Sequence, residues 1–224
     1  MPATKNNSYG TCFSWTALVL LFVSLVVPWY IWSSVVKMDG EEVCSVRMVF
    51  FWAHMVCAAS GDCGFDYCTE HVVDLWTENE NNYFAAIYAP TLFLTLFATV
   101  FALVAALFFS VRCCCVRAGS STSSALTLAV CLLGTLGLVL LTVAIVVFAA
   151  TAPLGWKEEG YRYPGPWSSF IGSYKDEGDG AKFEQTWAPV GWWLALFAWP
   201  FFLAAIIALF FAFKSRHRGY SLIN

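Results

Sequence analysis

Nine cysteines, three histidines and fifteen acidic residues are the groups in this 224-residue chain that could do chemistry. Four of the cysteines, Cys44, Cys57, Cys63 and Cys68, share one segment with His54 and His71. Cysteine beside histidine suggests zinc, but structural zinc sites use tight Cys-x2–4-Cys pairs, and here only Cys63 and Cys68 come that close. An even number of cysteines facing an oxidising compartment reads instead as two disulfides. These would staple a segment of roughly 45 residues that has little core of its own. Four cysteines allow three pairings. Cys57–Cys68 with Cys44–Cys63 is favoured, and the others stay open. No spacing among His54, His71 and the neighbouring acids fits a nucleophile with its base. No catalytic residue, no metal site and no cofactor is expected.

The remaining reactive groups lie elsewhere. Cys113, Cys114 and Cys115 are flanked by Arg112 and Arg117, and Cys12 precedes the first long apolar run. Cysteines beside a membrane and near basic residues are candidates for S-acylation, and the arginines favour anionic lipids. Near the chain end, Tyr220-Ser221-Leu222-Ile223 has the form Tyr-x-x-bulky apolar, a short extended peptide of the kind that trafficking adaptors bind.

These groups must be positioned by a chain that is 59% hydrophobic and only 12% charged. Soluble domains are about 25% charged, so a water-soluble enzyme is excluded. Disorder is excluded as well, because disordered chains are poor in aromatic and β-branched residues. A net charge of −3 excludes nucleic-acid binding. Four stretches lack Asp, Glu, Lys and Arg: 6–36, 81–111, 118–156 and 185–213. A spanning helix needs about 20 apolar residues, so the spans are predicted near 13–35, 85–111, 126–150 and 188–213. The first is read as an uncleaved helix, since its apolar run exceeds that of a signal peptide and no Ala-x-Ala site follows. Trp29, Tyr30 and Trp32 read as an interfacial aromatic belt at its far end.

Charge sets the orientation. Lys5, Arg112, Arg117, Lys214, Arg216 and Arg218 lie on one side with no acid among them. The connections at about 36–84 and 151–187 hold all fifteen acids. By the positive-inside rule, both termini are cytosolic, with the tail at 214–224, and both larger loops are outside. Three of the spans carry small residues at three-to-four spacing, which let helices approach closely in lipid. These are Thr91, Thr95, Ala98, Ala102 and Ala106 in the second, Thr127, Cys131, Gly134, Thr135 and Thr142 in the third, and Ala188, Gly191, Ala195, Ala198, Ala204, Ala208 and Ala212 in the fourth. Pro28, Pro90, Pro189 and Pro200 allow kinks. The fold expected is an all-α membrane protein, a single tetraspan domain over 1–224. It is a four-helix bundle with a disulfide-stapled extracellular region that could carry a small β-sheet.

Within the first loop, residues 48–59 are too apolar for a solvated connection and too short to cross. They read as a core strand of such a sheet, or as a hydrophobic interaction patch centred on Phe50, Phe51 and Trp52. The second loop, with Tyr161-Arg162-Tyr163-Pro164-Gly165-Pro166-Trp167, reads as a series of turns.

This layout resembles the claudin-like tetraspan proteins, and within them the amastins, the trypanosomatid surface proteins. Three passages carry the resemblance: Leu75-Trp76 running into Phe84-Ala85-Ala86, the run from Phe108 through Cys113-Cys114-Cys115 to Arg117, and Ala188-Pro189-Val190-Gly191-Trp192-Trp193. The resemblance implies a surface protein acting through contacts with host membranes, lipids or neighbouring proteins. Because the predicted spans hold no Asp, Glu, Lys, Arg or His, a pump or coupled transporter is disfavoured. The function expected is therefore non-catalytic: surface interaction or membrane organisation at the plasma membrane, with cycling through endosomes. The partners would be the bilayer and other membrane or host surface proteins, with oligomers allowed and nucleic acid excluded. The alternatives are a neutral-pore channel or transporter, or a claudin-like junction protein.

Overall fold

The computed structural model describes residues 3–61, 72–74, 83–117, 124–158, 171–178 and 181–220. Four long helices run through them: α1 (Ala3–Val26), α2 (Tyr83–Arg117), α3 (Ser124–Glu158) and α4 (Val190–Tyr220). Each contains a stretch long and apolar enough to cross a membrane: Ser8–Val26, Ala86–Cys113, Ala125–Ala152 and Val190–Phe211. The described residues also form six strands, β1 (Tyr30–Met38), β2 (Glu41–Phe50), β3 (His54–Gly61), β4 (Val72–Asp74), β5 (Gly172–Gly178) and β6 (Ala181–Ala188). They make one antiparallel sheet in the order β4-β3-β2-β1-β6-β5.

The four expected apolar helices are present, together with the small sheet that the sequence allowed for, so the chain is not purely helical. The two connections are not separate loops: β1 pairs with β2 on one side and with β6 on the other. The first span also ends early. Residues 27–35 are not helical, because Pro28 disfavours helix at the residue before it and Tyr30, Ile31, Val35 and Val36 favour extended backbone. Hydropathy alone does not separate a helix end from a buried strand. The fourth span starts at Val190, after β6 has run through Ala188.

The chain divides into two compact units: Met1–Val23, Phe93–Ala144 and Leu194–Asn224 in one, Ser24–Leu92 and Ile145–Trp193 in the other. The first unit is purely helical among the described residues. Its core is built on small side chains, with Ala98, Ala102, Ala105, Ala106, Ala144, Ala195, Ala198 and Ala205 wholly buried. Close backbone approach is how helices associate where lipid is as apolar as leucine. Glycines make room for rings: Gly10 lies against Phe109, and a Cβ on Gly137 would meet the Phe202 ring at 3.1 Å. Phe108, Phe109, Val130 and Leu209 close around Ala105 and Ala205. Phe93, Phe97, Leu103, Leu107, Leu132, Leu136, Phe210 and Phe211 point outward, as lipid-facing residues should. Two indoles tie helices together, Trp15 donating to Ser110 Oγ at 3.0 Å and Trp199 donating to Thr142 Oγ1 at 2.9 Å.

The expected small-residue stripes hold in α2, where Thr91, Thr95, Ala98, Ala102 and Ala106 are all buried. In α3 the stripe is partly wrong. Thr127 and Gly134 face inward and Thr142, though exposed, accepts from Trp199 of α4, but Thr135 is exposed and bonds its own helix carbonyl at Cys131. In α4, Gly191, Ala195 and Ala198 are buried, and the inward face then passes to Phe202, Ala205 and Leu209, with Ala208 partly buried against them.

The second unit holds the sheet and an aromatic core. Trp29 lies 4.1 Å from Trp52 and 4.9 Å from Phe148, and Tyr88 lies 5.3 Å from Phe148, all between ring centroids. The expected interfacial belt is therefore overturned, because Trp29, Tyr30 and Trp32 are buried at 0, 1 and 6% exposure. Two indoles instead finish α1. The last four carbonyls of a helix lack intrahelical partners; Trp29 Nε1 donates to Ser24 O at 2.7 Å and Trp52 Nε1 to Leu25 O at 3.0 Å. Gly191 donates its amide to Pro28 O at 3.0 Å, and a Cβ there would sit 2.6 Å from Trp29 Cδ1.

The helix lengths now make sense. The apolar stretches of α2 and α3 are each 28 residues, against 19 in α1 and 22 in α4. At 1.5 Å per residue, 28 residues reach about 42 Å, well beyond the roughly 30 Å of bilayer hydrocarbon. Both helices also contribute residues to the second unit, where Ile87, Tyr88, Phe148 and Ala152 are buried.

Candidate functional site: the two faces of the sheet

Strand periodicity sorts the sheet residues into two faces. Tyr30, Trp32 and Ser34 of β1, Cys44, Val46, Met48 and Phe50 of β2, Cys57 of β3 and Trp187 of β6 are buried. Their strand neighbours Ile31, Ser33, Val35, Ser45, Arg47, Val49, Lys182 and Thr186 occupy the opposite face and are partly or fully exposed. The turn between β1 and β2 is Asp39-Gly40, with φ of 52° and 87°. Two successive residues at positive φ make the hairpin turn that matches strand twist. The tip at Met38, Asp39, Gly40, Glu41 and Glu42 is exposed.

The open face carries groups that sequence reasoning did not single out. Ser33 and Thr186 hydroxyls meet at 2.6 Å across β1 and β6. Lys175 donates to Glu184 Oε1 at 3.0 Å, and Lys37 lies 3.6 Å from Glu184 Oε2. The hydrogen bond and charge of Lys175, then the charge of Lys37, hold the Glu184 carboxyl below its usual range. These groups lie on different strands of the register, which composition does not reveal.

Among the cysteines, Cys44 and Cys57 are buried on β2 and β3. Cys44 stands opposite Gly61 and Cys57 opposite Met48. Four positions along a ladder is about 13 Å at 3.3 Å per residue, beyond the ~7 Å Cα separation that a disulfide spans. Cys44 and Cys57 therefore do not pair with each other. Cys63, Cys68 and His71 lie outside the described residues. The free thiols among the described residues are Cys12, Cys113 and Cys131, with Cys12 exposed and the others partly buried. Cys114 and Cys115 continue α2 beside Cys113. Arg112, read as a cation at the membrane surface, is only 5% exposed.

The interaction patch is corrected. Phe50 and Trp52 are buried at 1 and 7%, so neither is available to a partner. Only Phe51 is partly open, stacked 4.9 Å from the exposed His54. The reading of 48–59 as core strand is the one that holds, split between β2 and β3 by a turn closed by Phe51 N donating to His54 O. Tyr220 is the last residue of α4, and Ile223 lies outside the described residues. The second connection, read as turns, supplies the β5–β6 hairpin, while 159–170 lie outside the described residues. Chemically, the open face offers hydroxyls, an arginine and a shared carboxylate. It offers no grouping of three His, Cys, Asp or Glu side chains among the described residues. Compared with protein-family models and with curated proteins, the sequence finds no match.

Proposed function

We propose that this chain is a non-catalytic, multi-pass cell-surface protein acting in surface interaction or membrane organisation, in the manner of the amastin-like and claudin-like tetraspan proteins. The observation that carries the reading is the single sheet assembled from both long connections, β1 being shared between them. Two mobile loops would present many shapes; one six-stranded sheet presents a fixed surface at low entropic cost. The charge asymmetry supports its placement outside the cell, with both termini in the cytosol. Cys44 and Cys57 support the staple, since both are buried and neither carries a titrating thiol. With their mutual pairing removed by register, Cys44–Cys63 and Cys57–Cys68 is the arrangement we favour, because Cys63 follows two residues after Gly61, the partner of Cys44 in the ladder. On the cytosolic side, Cys12 and the Cys113 to Cys115 run are proposed acyl sites, and Tyr220 with Ile223 a sorting signal that returns the protein through endosomes.

The test has two parts. Tags at each terminus should be unreachable from outside intact cells, and reachable tags would overturn the orientation. Proximity labelling from the β1–β2 tip should mark specific membrane or host-surface neighbours that are lost in Met38→Ser and Glu41→Lys. Labelling confined to abundant membrane proteins, unchanged by those substitutions, would sink the interaction role.

A further inference from the structure

The register of the sheet orders its open face into rows, and the rows change character steadily. Nearest the helix termini, Val72, Val56, Val49, Ile31 and Ala188 occupy one row across five strands. Ile171, 41% exposed, extends the row just before β5. Every position in it is apolar. Two residues further out, Ala58, Arg47, Ser33, Thr186 and Ser173 form the second row, with one charge and three hydroxyls. The third row is Ser60, Ser45, Val35, Glu184 and Lys175, with two charges. After the β-bulge at Val36/Lys37, the fourth is Glu42, Lys37, Lys182 and Glu177, where every position is charged.

This is the opposite face from the aromatic core; Ala188 and Ile171 are exposed on it, and Ile31, Val49 and Val56 are partly buried. Successive rows stand about 6.6 Å apart, two residues of strand rise. The headgroup region on each side of a bilayer is about 5–7.5 Å deep, half the difference between a ~30 Å hydrocarbon core and a 40–45 Å total. The row spacing therefore matches the layers of a membrane surface. The chain path agrees: β1 begins four residues after α1 ends at Val26, and β6 ends two residues before α4 begins at Val190. The row that joins Ile31 to Ala188 is thus tethered at its centre to two spanning helices.

We infer that the sheet is partly immersed, its first row resting at the acyl boundary of the bilayer and its second at headgroup level. There Arg47 reaches phospholipid phosphate, and the Ser33 and Thr186 hydroxyls sit among the ester and phosphate oxygens. The occupant of this face is a lipid surface rather than a protein, because the polarity is graded in one direction along the strands, whereas a protein interface keeps an apolar centre within a polar rim. The inference rests on reading the four helices as spans, but not on which side of the membrane the sheet occupies.

The test places an environment-sensitive fluorescent amino acid at position 49, 47 or 175 of the full chain in phosphatidylcholine nanodiscs. Quenching is measured with phosphatidylcholine brominated near the top of its acyl chains. Emission at 49 should be blue-shifted and lose most of its intensity, at 47 it should lose little, and at 175 none, with unchanged thermal unfolding showing that each variant is folded. Quenching at 49 no greater than at 175 would overturn immersion. A blue-shifted but unquenched signal at 49 would mean that protein covers the row, and would overturn the lipid assignment. Neither result bears on sidedness, which the terminal tags read separately.

Discussion

The two units of this chain solve the same packing problem with opposite materials. The helical unit packs by subtraction: alanines and glycines are buried at the contacts, and the rings of Phe109 and Phe202 fill the space left at Gly10 and Gly137. The sheet unit packs by addition, around Trp29, Trp52, Tyr88 and Phe148, with indole N–H groups bonded to helix carbonyls. The difference follows from solvent. Between spanning helices there is no hydrophobic gain to collect, so contact distance decides stability. Where strands and helix ends meet water, burying large apolar area is the main stabilising term.

If that contrast is right, the heaviest single loss should come from the sheet unit. Trp29→Ala removes a fully buried indole and uncovers Ser24 O, and large-to-small changes of this kind cost about 3–5 kcal/mol. Proteolysis should open the β1–β2 hairpin while far-UV circular dichroism retains helix; uniform loss of both signals would break the division into units. Cys57→Ser should cost about 2–5 kcal/mol in the same assay, and peptide mapping without reduction should recover Cys57 joined to Cys68. In the helical unit, the damaging change is an enlargement. Gly137→Leu drives a side chain into Phe101 and the buried Phe202, where overpacking costs about 1–3 kcal/mol, read as a lowered Tm in nanodiscs. Thr142→Val, which removes the acceptor for Trp199, should cost about 0.6 kcal/mol, the mean for polar contacts in a membrane. The smallest effect is electrostatic. Because the folded Glu184 carboxyl is held below its ordinary value, its ion pairs with Lys175 and Lys37 persist above the usual carboxylate range and disappear as pH falls through that lowered value. Acid titration followed by carboxyl NMR should show Glu184 rising toward its ordinary value in Lys175→Ala, with Lys37 still holding it below.

Much of this arrangement was legible in the sequence, and the misses have a common cause. The four charge-free runs located the helices, since nothing but a helix can bury so long an apolar segment in lipid. The Asp39-Gly40 pair is a strong hairpin signature in its own right. What the sequence hid was long-range pairing. Trp29, Tyr30 and Trp32 have the composition of an aromatic belt, and only pairing with β2 and β6 turns them inward. Trp29, Tyr30 and Trp32 are apolar because they enter a protein core, not because they cross hydrocarbon. Lys37, Glu184 and Lys175 meet only through a register joining residues nearly 150 positions apart. No local pattern encodes that. Phe50 and Trp52 illustrate the converse error, in which an apolar cluster suggests a binding patch until its neighbours are known.

Sharing β1 between both connections has a consequence for biosynthesis. The hairpin that β1 makes with β2 can close early, but its other edge waits for β6, which leaves the ribosome about 140 residues later. At 5–20 residues per second, that interval is roughly 7–30 s. For that time a nascent chain displays an unsatisfied strand edge, which is the kind of surface that recruits stray strands from other chains. Variants that delay insertion of α4 should therefore raise aggregation during synthesis far more than they lower the stability of the finished molecule.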